Sequence, residues 1–219
     1  SELEWIDADS FFLTLSNKDL NRSYVAHLDF NDQTKTINAK FVKFRVEGYV
    51  LDGLPETENE MLFVVNDDQF RPRGKNNLFK LKVDDEQSIE KSLRKVYPQT
   101  KKLKNVIDWL VDDAGQVRAA ITVEYDKKAE EALFDYWFLA NPENSQWERI
   151  KSGVSMKHSF WLLQLSSDEQ FFLVLTNEFG DKNAIHKYST KDGSHQGLYY
   201  EDPNHDIEQL IIDESTGEV

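Results

Sequence analysis

A repeat of about 50 residues constrains this chain more than any single motif does. Short, mostly apolar runs begin at positions 11, 61, 117 and 171, so successive runs start 50, 56 and 54 residues apart. The four runs are FFLTLS at 11–16, MLFVVN at 61–66, VRAAITV at 117–123 and FFLVLTN at 171–177. Continuous apolar runs of this length predict strands that are buried on both faces.

Each run occupies the same place in a larger pattern of four segments. The segments that precede the runs lie at 3–7, 48–54, 106–112 and 160–166. Alternating polar and apolar segments follow the runs at 23–30, 77–83, 134–140 and 184–189. More polar segments complete the pattern near 35–41, 88–97, 147–151 and 196–201. The joining stretches are rich in Asp, Asn, Ser, Pro and Gly, which favour tight turns, so the unit is four antiparallel strands.

A unit of four antiparallel strands in about 50 residues, repeated four times, predicts an all-β chain that forms a β-propeller. The four blade-like units are expected at about 3–41, 48–97, 106–151 and 160–201, within a single propeller region over 1–219. A partial fifth unit is expected over 207–219, where IEQLIID and the turn ESTGE repeat the start of a blade. Because the pattern breaks off there, we expect the chain to be a fragment of a larger propeller.

Two other readings of the pattern stay open. A β-sandwich also has many short strands, but it lacks a longer period near 50 residues. Two segments have local helix character: SIEKSLRKV at 88–96, with helical spacing of its apolar residues, and KKAEEAL at 127–133. The first of them is an alternative to the outer strand of the second unit.

Charge and cysteine content exclude several classes of function. The formal net charge is −14, from 40 acidic and 26 basic residues, so neither nucleic acid nor an anionic membrane is expected as a partner. The chain has no cysteine, which excludes disulfides and zinc–thiolate sites. The first residues, SELEW, lack the features of a signal peptide, and the compartment stays open between cytoplasm and periplasm.

Tryptophan falls in a regular phase of the repeat. Trp5, Trp109 and Trp161 all lie in the first strand of a unit. Large aromatic side chains at one phase predict packing between neighbouring blades.

No pattern predicts a catalytic residue, a cofactor site or a metal site. The zinc motif His-Glu-x-x-His, a phosphate-binding glycine loop and a calcium loop are all missing from the sequence. The nearest approach to a nucleophile elbow is GVSMK at 153–157, which lacks the second glycine. The histidines are His27, His158, His186, His195 and His205, and no two of them have metal-ligand spacing on one element. For His27 and His186, surface or inter-strand roles are expected.

The candidate ligand contacts are Phe70, Arg71 and Arg73. They lie on the longest loop, NDDQFRPRGKN at 66–76. Two guanidinium groups beside an aromatic ring can bind a peptide carboxylate, and binding residues concentrate on such loops.

The second half of the chain resembles a known family. The stretch IDWLVDDAGQVR at 107–118, the stretch beginning LSSDEQFFLVLTN at 165 and YYEDPNHDIEQLII at 199–212 are similar to blades of bacterial prolyl oligopeptidase-family proteins of the acylaminoacyl-peptidase-like branch. The resemblance covers about 105–219, and its motifs are a Trp-containing strand, an Asp-Gly type of turn and a strand that starts Val-Arg.

The resemblance implies a propeller that is followed by an α/β-hydrolase domain with a Ser-Asp-His triad. It assigns no catalytic residue to this chain, because the hydrolase domain lies outside the sequence. The expected function is a non-catalytic propeller segment of a serine peptidase, which caps the active site and gates the access of short peptides. The expected partners are that hydrolase domain, in the same parent chain, and short peptides.

A stand-alone β-propeller scaffold for protein–protein interaction is the alternative function. A self-contained glycan-binding or hydrolytic propeller ranks below both, since no constellation of carboxylates supports it. In either of the first two cases, a piece of a larger ring leaves apolar sheet faces open at its ends. We therefore expect the chain to self-associate or to close as four blades.

Overall fold

The regular structure in the described part of the chain consists of fifteen strands and one short helix. The computed structural model describes residues 2–17, 20–44, 46, 48–54, 57, 59–66, 76–93, 103–112, 114–128, 130–141, 143–155, 158–166 and 168–208. The strands form four separate sheets, three with four strands and one with three, and in each sheet the strands are neighbours in chain order. The all-β class is therefore confirmed, and the sheets have the blade-like organisation that the repeat predicts.

The first sheet follows the predicted unit at 3–41 closely. Its strands are β1 (Glu2–Trp5), β2 (Ser10–Asn17), β3 (Leu20–Asn31) and β4 (Thr36–Phe44), in the order β1-β2-β3-β4. The pairing is antiparallel throughout, and the register between β3 and β4 runs without a shift from Ser23↔Phe44 to Asn31↔Thr36.

The second sheet has three strands among the described residues, and a helix takes the place of the predicted fourth. Its elements are β5 (Gly48–Asp52), β6 (Glu60–Asn66), β7 (Asn76–Lys82) and α1 (Glu86–Ser92). Asp85 caps the helix, since its side chain accepts a hydrogen bond from the backbone N–H of Ser88 at 2.6 Å. Ile89 is buried, and Leu93 packs beside it one turn later. The prediction of a strand at 88–97 is thus wrong over 88–92, and the helical alternative is correct there.

The third sheet contains β8 (Val106–Val111), β9 (Val117–Asp126), β10 (Glu131–Asn141) and β11 (Gln146–Ser155). The helical alternative at 127–133 is wrong, because β10 begins at Glu131 and pairs with the end of β9, Glu131 opposite Asp126. Alternation across this long hairpin outweighs the local helix propensity of the turn.

The fourth sheet contains β12 (Phe160–Leu165), β13 (Phe171–Thr176), β14 (Ala184–Ser189) and β15 (His195–Tyr200). The turn between β14 and β15 requires glycine at Gly193, which has φ +68° and where a Cβ would collide with the carbonyl oxygen of Ile150. Of the predicted fifth unit, Ile207 and Glu208 are not in a strand, and the remainder lies outside the described residues.

The chain divides into two compact units. The first comprises Ser1–Ile107 and Ala114–Gln116, and the second comprises Asp108–Asp113 and Val117–Val219. In the first unit, one face of the first sheet packs on the second sheet and α1. The buried residues of this core are Ile6, Phe12, Val25, Val42, Phe44, Val50, Met61, Phe63, Phe79, Leu81, Val83 and Ile89.

The core of the second unit lies between the third and fourth sheets. Its buried residues are Ala119, Ile121, Tyr136, Phe138, Val154, Phe160, Leu165, Phe172, Val174 and Tyr188. The Tyr136 hydroxyl donates to the backbone carbonyl of Phe160 on the facing sheet. Burial raises the pKa of Tyr136, so the phenol stays protonated and keeps this hydrogen bond at all ordinary pH.

The apolar runs of the repeat differ in how completely they are buried. Residues 61–64 of β6 and 172–175 of β13 are buried without a break, as predicted. In β2 only alternate positions are buried, since Phe12 lies in the core and Leu15 is exposed. The prediction of burial on both faces is therefore wrong for β2, because nothing in the described structure covers its second face.

Two of the three tryptophans at the common phase are exposed and do not pack between sheets as predicted. Trp5 and Trp161 are 57% and 59% exposed. Trp5 pairs with Phe11 and therefore points away from the face that carries Phe12. Trp109 is buried, and one of its contacts is Trp147 in its own sheet, with ring centroids 6.2 Å apart.

Candidate functional site

The sequence-predicted ligand contacts Phe70, Arg71 and Arg73 lie outside the described residues. The strands on either side of their loop, β6 and β7, pair up to Asn66 opposite Asn76. The prediction that this loop binds a peptide carboxylate stays a prediction.

Ser10 and His27 form a serine–histidine pair that the repeat analysis did not single out. Ser10 Oγ lies 2.9 Å from His27 Nδ1, and His27 Nε2 lies 2.8 Å from the carbonyl oxygen of Val83. Because a carbonyl only accepts, Nε2 carries the proton, and Nδ1 accepts from the Ser10 hydroxyl. Ser10 is completely buried, so the pair joins strands of the first unit and does not expose a nucleophile. The inter-strand role expected for His27 is confirmed.

The segment that most resembles a nucleophile elbow is part of a strand. Gly153 and Ser155 both lie in β11, where a nucleophile elbow would need a strand-to-helix turn. Ser155 Oγ donates to Glu131 Oε2 at 2.9 Å, across the pair formed with β10. Residues 156–157 lie outside the described residues.

The best candidate for a ligand site is a cavity at one end of the fourth sheet. Its volume is about 460 Å³, which falls within the usual range for small-ligand sites. The loop between β13 and β14 forms one wall, and the residues that follow β15 form the other. The lining residues are Phe179, Gly180, Asp181, Lys182, Asn183, Ala184, His186, Leu198, Glu201, Asp202 and Pro203. We call this the fourth-sheet cavity.

An aromatic cluster forms one side of the fourth-sheet cavity. The ring of Phe179 stacks on His195 with centroids 4.0 Å apart, and it lies 4.8 Å from the ring of His186. His186 Nδ1 and His195 Nε2 are 2.9 Å apart, so one of them donates to the other. Phe179 itself is exposed, and its ring offers a face or an edge to a ligand.

The surroundings of His186 disfavour its protonation. Burial and the neighbouring His195 lower the pKa of His186 below its usual value, although Glu201 and Glu178 act in the opposite direction. His186 is therefore neutral at pH 7, and it adds no positive charge to the cavity.

The acidic side chains outnumber the basic ones in the lining. Asp181, Glu201 and Asp202 contribute carboxylates, and Lys182 contributes an ammonium group. Lys182 Nζ donates to the carbonyl oxygen of Pro203 at 2.5 Å. Hydrogen bonds from the backbone N–H groups of Asn204 and His205 lower the pKa of Asp202, which keeps it ionised.

A hydrogen-bonded network fixes the wall beside the cavity. Lys151 Nζ binds both oxygens of Glu178, at 2.5 and 2.6 Å, and the Tyr188 hydroxyl donates to Glu178 Oε2 at 2.6 Å. Burial opposes ionisation of Glu178, but the bonds from Lys151 and Tyr188 outweigh it and lower the pKa of this carboxylate. The loop at 177–183 is thus tied to β11 and β14 at its start. An acidic cavity with an aromatic wall suits an ammonium or guanidinium group.

Arg118 is a second charged group that the sequence did not single out as a contact. Its side chain is 8% exposed and binds both oxygens of Glu169, with a Nη2–Oε2 distance of 2.6 Å. Nη1 also lies 3.3 Å from Asp112 Oδ2. Glu169 and Asp112 raise the pKa of Arg118, and the Arg118 guanidinium lowers that of Glu169. This ion-pair cluster of Arg118, Asp112 and Glu169 joins the turns of the third and fourth sheets and has a structural role.

Two further searches cover the described residues alone. No group of three or more His, Cys, Asp or Glu side chains in this part of the chain is arranged to hold a metal ion. Its single helix is too short and too polar to cross a membrane.

No protein family matches the chain, and no curated protein matches it.

Proposed function

We propose that the chain is a non-catalytic segment of a β-propeller, in which each of the four sheets is one blade. The observation that carries the proposal is the order of the strands: every sheet is a meander of consecutive strands, and the next sheet begins directly afterwards. Propeller blades have this order, and sandwiches with Greek-key connections do not. The helix α1 then stands where the outer strand of the second blade would be.

Within this proposal, the parent protein is a prolyl oligopeptidase-like serine peptidase. The propeller caps the active site of an α/β-hydrolase domain in the same parent chain and gates the access of short peptides. Support comes from the resemblance over about 105–219, which coincides with the third and fourth sheets. The stretch 107–118 corresponds to β8, the following turn and the start of β9.

The fourth-sheet cavity supplies this propeller with a contact for peptides. Its carboxylates and the exposed ring of Phe179 suit a lysine or arginine side chain, or the free amino group of a short peptide. The net charge of −14 acts in the same direction, since it attracts basic peptides from a distance.

The peptide contact can be tested on this chain alone by isothermal titration calorimetry. A short arginine-containing peptide is expected to bind, and the same peptide with glutamate for arginine is not. The double variant Asp181→Asn and Glu201→Gln should abolish binding. The control, Asp168→Asn with Asp192→Asn, removes two carboxylates from other turns of the same sheet and should bind normally. Equal affinity for both peptides, or equal loss in both double variants, would count against the cavity.

The peptidase context has a separate test, the coding sequence downstream of Val219 in the source gene. Further blades followed by Gly-x-Ser-x-Gly, and then by Asp and His in that order, are expected. A stop codon directly after Val219 would contradict the gating role and leave the propeller itself untouched.

The stand-alone interaction scaffold is the second candidate. The observation in its favour is the apolar face of the first sheet, which is exposed in the described structure. That stop codon, together with peptide binding at the cavity, would favour the scaffold over the gating domain.

A further inference from the structure

The first sheet has an apolar face that is turned away from the core of its unit. One row of side chains crosses all four strands on this side, since Trp5 pairs with Phe11, Phe11 with Ala26 and Ala26 with Phe41. The next row along, displaced by one residue, holds Phe12, Val25 and Val42 and lies in the core. Because neighbouring rows point to opposite sides of a sheet, the first row points outward.

We call this side the outer face of the first sheet. Six large apolar side chains on it are each at least 46% exposed: Leu3, Trp5, Leu15, Phe30, Ile37 and Phe41. Isolated exposed apolar residues are ordinary, but six on one sheet face form a continuous patch. A patch of this kind marks an interaction surface.

The size of the outer face suits a partner of similar size. Strands lie about 4.8 Å apart and rise about 3.3 Å per residue, so the four strands cover roughly 500 Å² in plan. Projecting side chains enlarge the accessible area of such a face. A stable pair of proteins buries about 800 Å² on each partner, and this face can supply an interface at the lower end of that class.

Charge is divided between the two ends of the outer face. Arg22 and Lys43 are exposed at the end where β2 passes into β3. Asp9 and Asp32 lie at the opposite end, before β2 and after β3. Lys35 also lies at that second end, in the same turn as Asp32.

Asp7 lies at this second end as well. The end therefore carries three acidic groups, Asp7, Asp9 and Asp32, and one basic group, Lys35. A twofold axis that lies parallel to the sheet plane and perpendicular to the strands packs the two outer faces together and brings the basic end of one copy against the acidic end of the other, twice in each pair. Such an isologous pairing satisfies the charges at both ends and covers the apolar rows between them.

We propose that the outer face of the first sheet is a homodimer interface, in which two copies pack their first sheets together about a twofold axis. The occupant is a second copy of this chain. The proposal does not rest on the peptidase context or on the fourth-sheet cavity, because it is argued from this face alone.

Sedimentation velocity at low and high micromolar concentration tests the proposal on the whole chain. The wild-type chain is expected to shift from monomer to dimer. Trp5→Glu should weaken the dimer by at least about 30-fold, since it places a charge in the aromatic row that Trp5 and Phe11 form on the interface. Trp161→Glu is the matched control, because it changes an equally exposed tryptophan in the first strand of the fourth sheet, and it should leave the dimer intact.

A charge-swap experiment tests the twofold arrangement and does not depend on the tryptophan variants. Arg22→Glu with Lys43→Glu should weaken the dimer, and adding Asp9→Lys with Asp32→Lys should restore it. Circular dichroism of each variant verifies that the sheets are formed. A wild-type monomer at all concentrations overturns the proposal, as does dimerisation that Trp161→Glu abolishes and Trp5→Glu does not. Oligomers that grow beyond the dimer overturn the twofold axis.

Discussion

The outward face of the first sheet is exposed, whereas the outward face of the fourth sheet is buried. In the first sheet, large apolar side chains on the face opposite the core are exposed, among them Ile37 and Phe41 on β4. In the fourth sheet, the outward face holds Leu173, Leu175 and Ile185, which are all buried. Both sheets have apolar residues on both sides, so the difference does not come from the strands themselves.

Part of the cover on the fourth sheet comes from the segment that follows it. Ile207 packs on the outward face, and its backbone N–H donates to the carbonyl oxygen of Asn183 at 3.1 Å. Asp206 Oδ1 accepts from the backbone N–H of Asn183 at 2.6 Å, which fixes the same segment a second time. An apolar sheet face thus needs a cover, and a few residues held by two hydrogen bonds can begin to supply it.

The largest expected effect is a difference between two identical substitutions on the two faces. Ile185 is 1% exposed and Ile37 is 61% exposed. Ile185→Ala should lower the free energy of unfolding by about 2–4 kcal/mol, because it removes buried methyl groups and leaves a cavity. Ile37→Ala should cost less than about 1 kcal/mol.

Urea unfolding at low protein concentration measures both values without a contribution from self-association. An equal loss in the free energy of unfolding from Ile37→Ala and Ile185→Ala would contradict the difference in burial between the two faces. In that case the outer face of the first sheet would be covered in the monomer.

The repeat alone predicts the fifteen described strands to within a few residues, because alternation and apolar runs are local properties of the sequence, but it also predicts a strand at 88–97, where α1 forms over Glu86–Ser92. It does not predict which runs are covered. FFLTLS in β2 and FFLVLT in β13 are nearly the same sequence, yet β2 has exposed positions and β13 has a buried outward face. Coverage depends on residues that are distant in sequence, such as Ile207.

The candidate site was harder to predict than the fold for the same reason. The fourth-sheet cavity is lined by a loop at 179–183 and by residues 201–203, which share no motif. The ion pair between Arg118 and Glu169 joins positions 51 residues apart. The local signal that was available, two arginines on a long loop, pointed to Arg71 and Arg73 instead.

A smaller effect is expected when the cover of the fourth sheet is shortened. Ile207→Ala should cost about 1 kcal/mol, since the side chain is only half buried. It should also raise the binding of a hydrophobic fluorescent dye, because it uncovers Leu173 and Ile185. Ile37→Ala is the control and should lower dye binding, since it removes apolar surface that is already exposed. A change in the same direction in both variants would contradict the difference between the faces.

The smallest expected effect is a pH dependence that belongs to the fourth sheet. His186 on β14 touches His195 on β15, and its pKa is lowered from 6.5 by burial and by that neighbour. Below pH 6.5 the unfolded chain takes up the proton before the folded chain does, so stability falls as the pH falls from 6.5 towards the folded pKa. Well above pH 6.5 both states are neutral at this site, and it contributes no slope.

Thermal unfolding between pH 7.5 and 5.5 measures this slope in the wild type and in His186→Gln, which keeps a hydrogen-bonding side chain but cannot titrate in this range. The wild type should lose more stability over that interval than the variant does. An equal loss would mean that other carboxylates or histidines carry the pH dependence. A smaller loss in the wild type would mean that the pair of Glu178 and Glu201 outweighs burial, and that His186 is protonated in the folded fourth sheet.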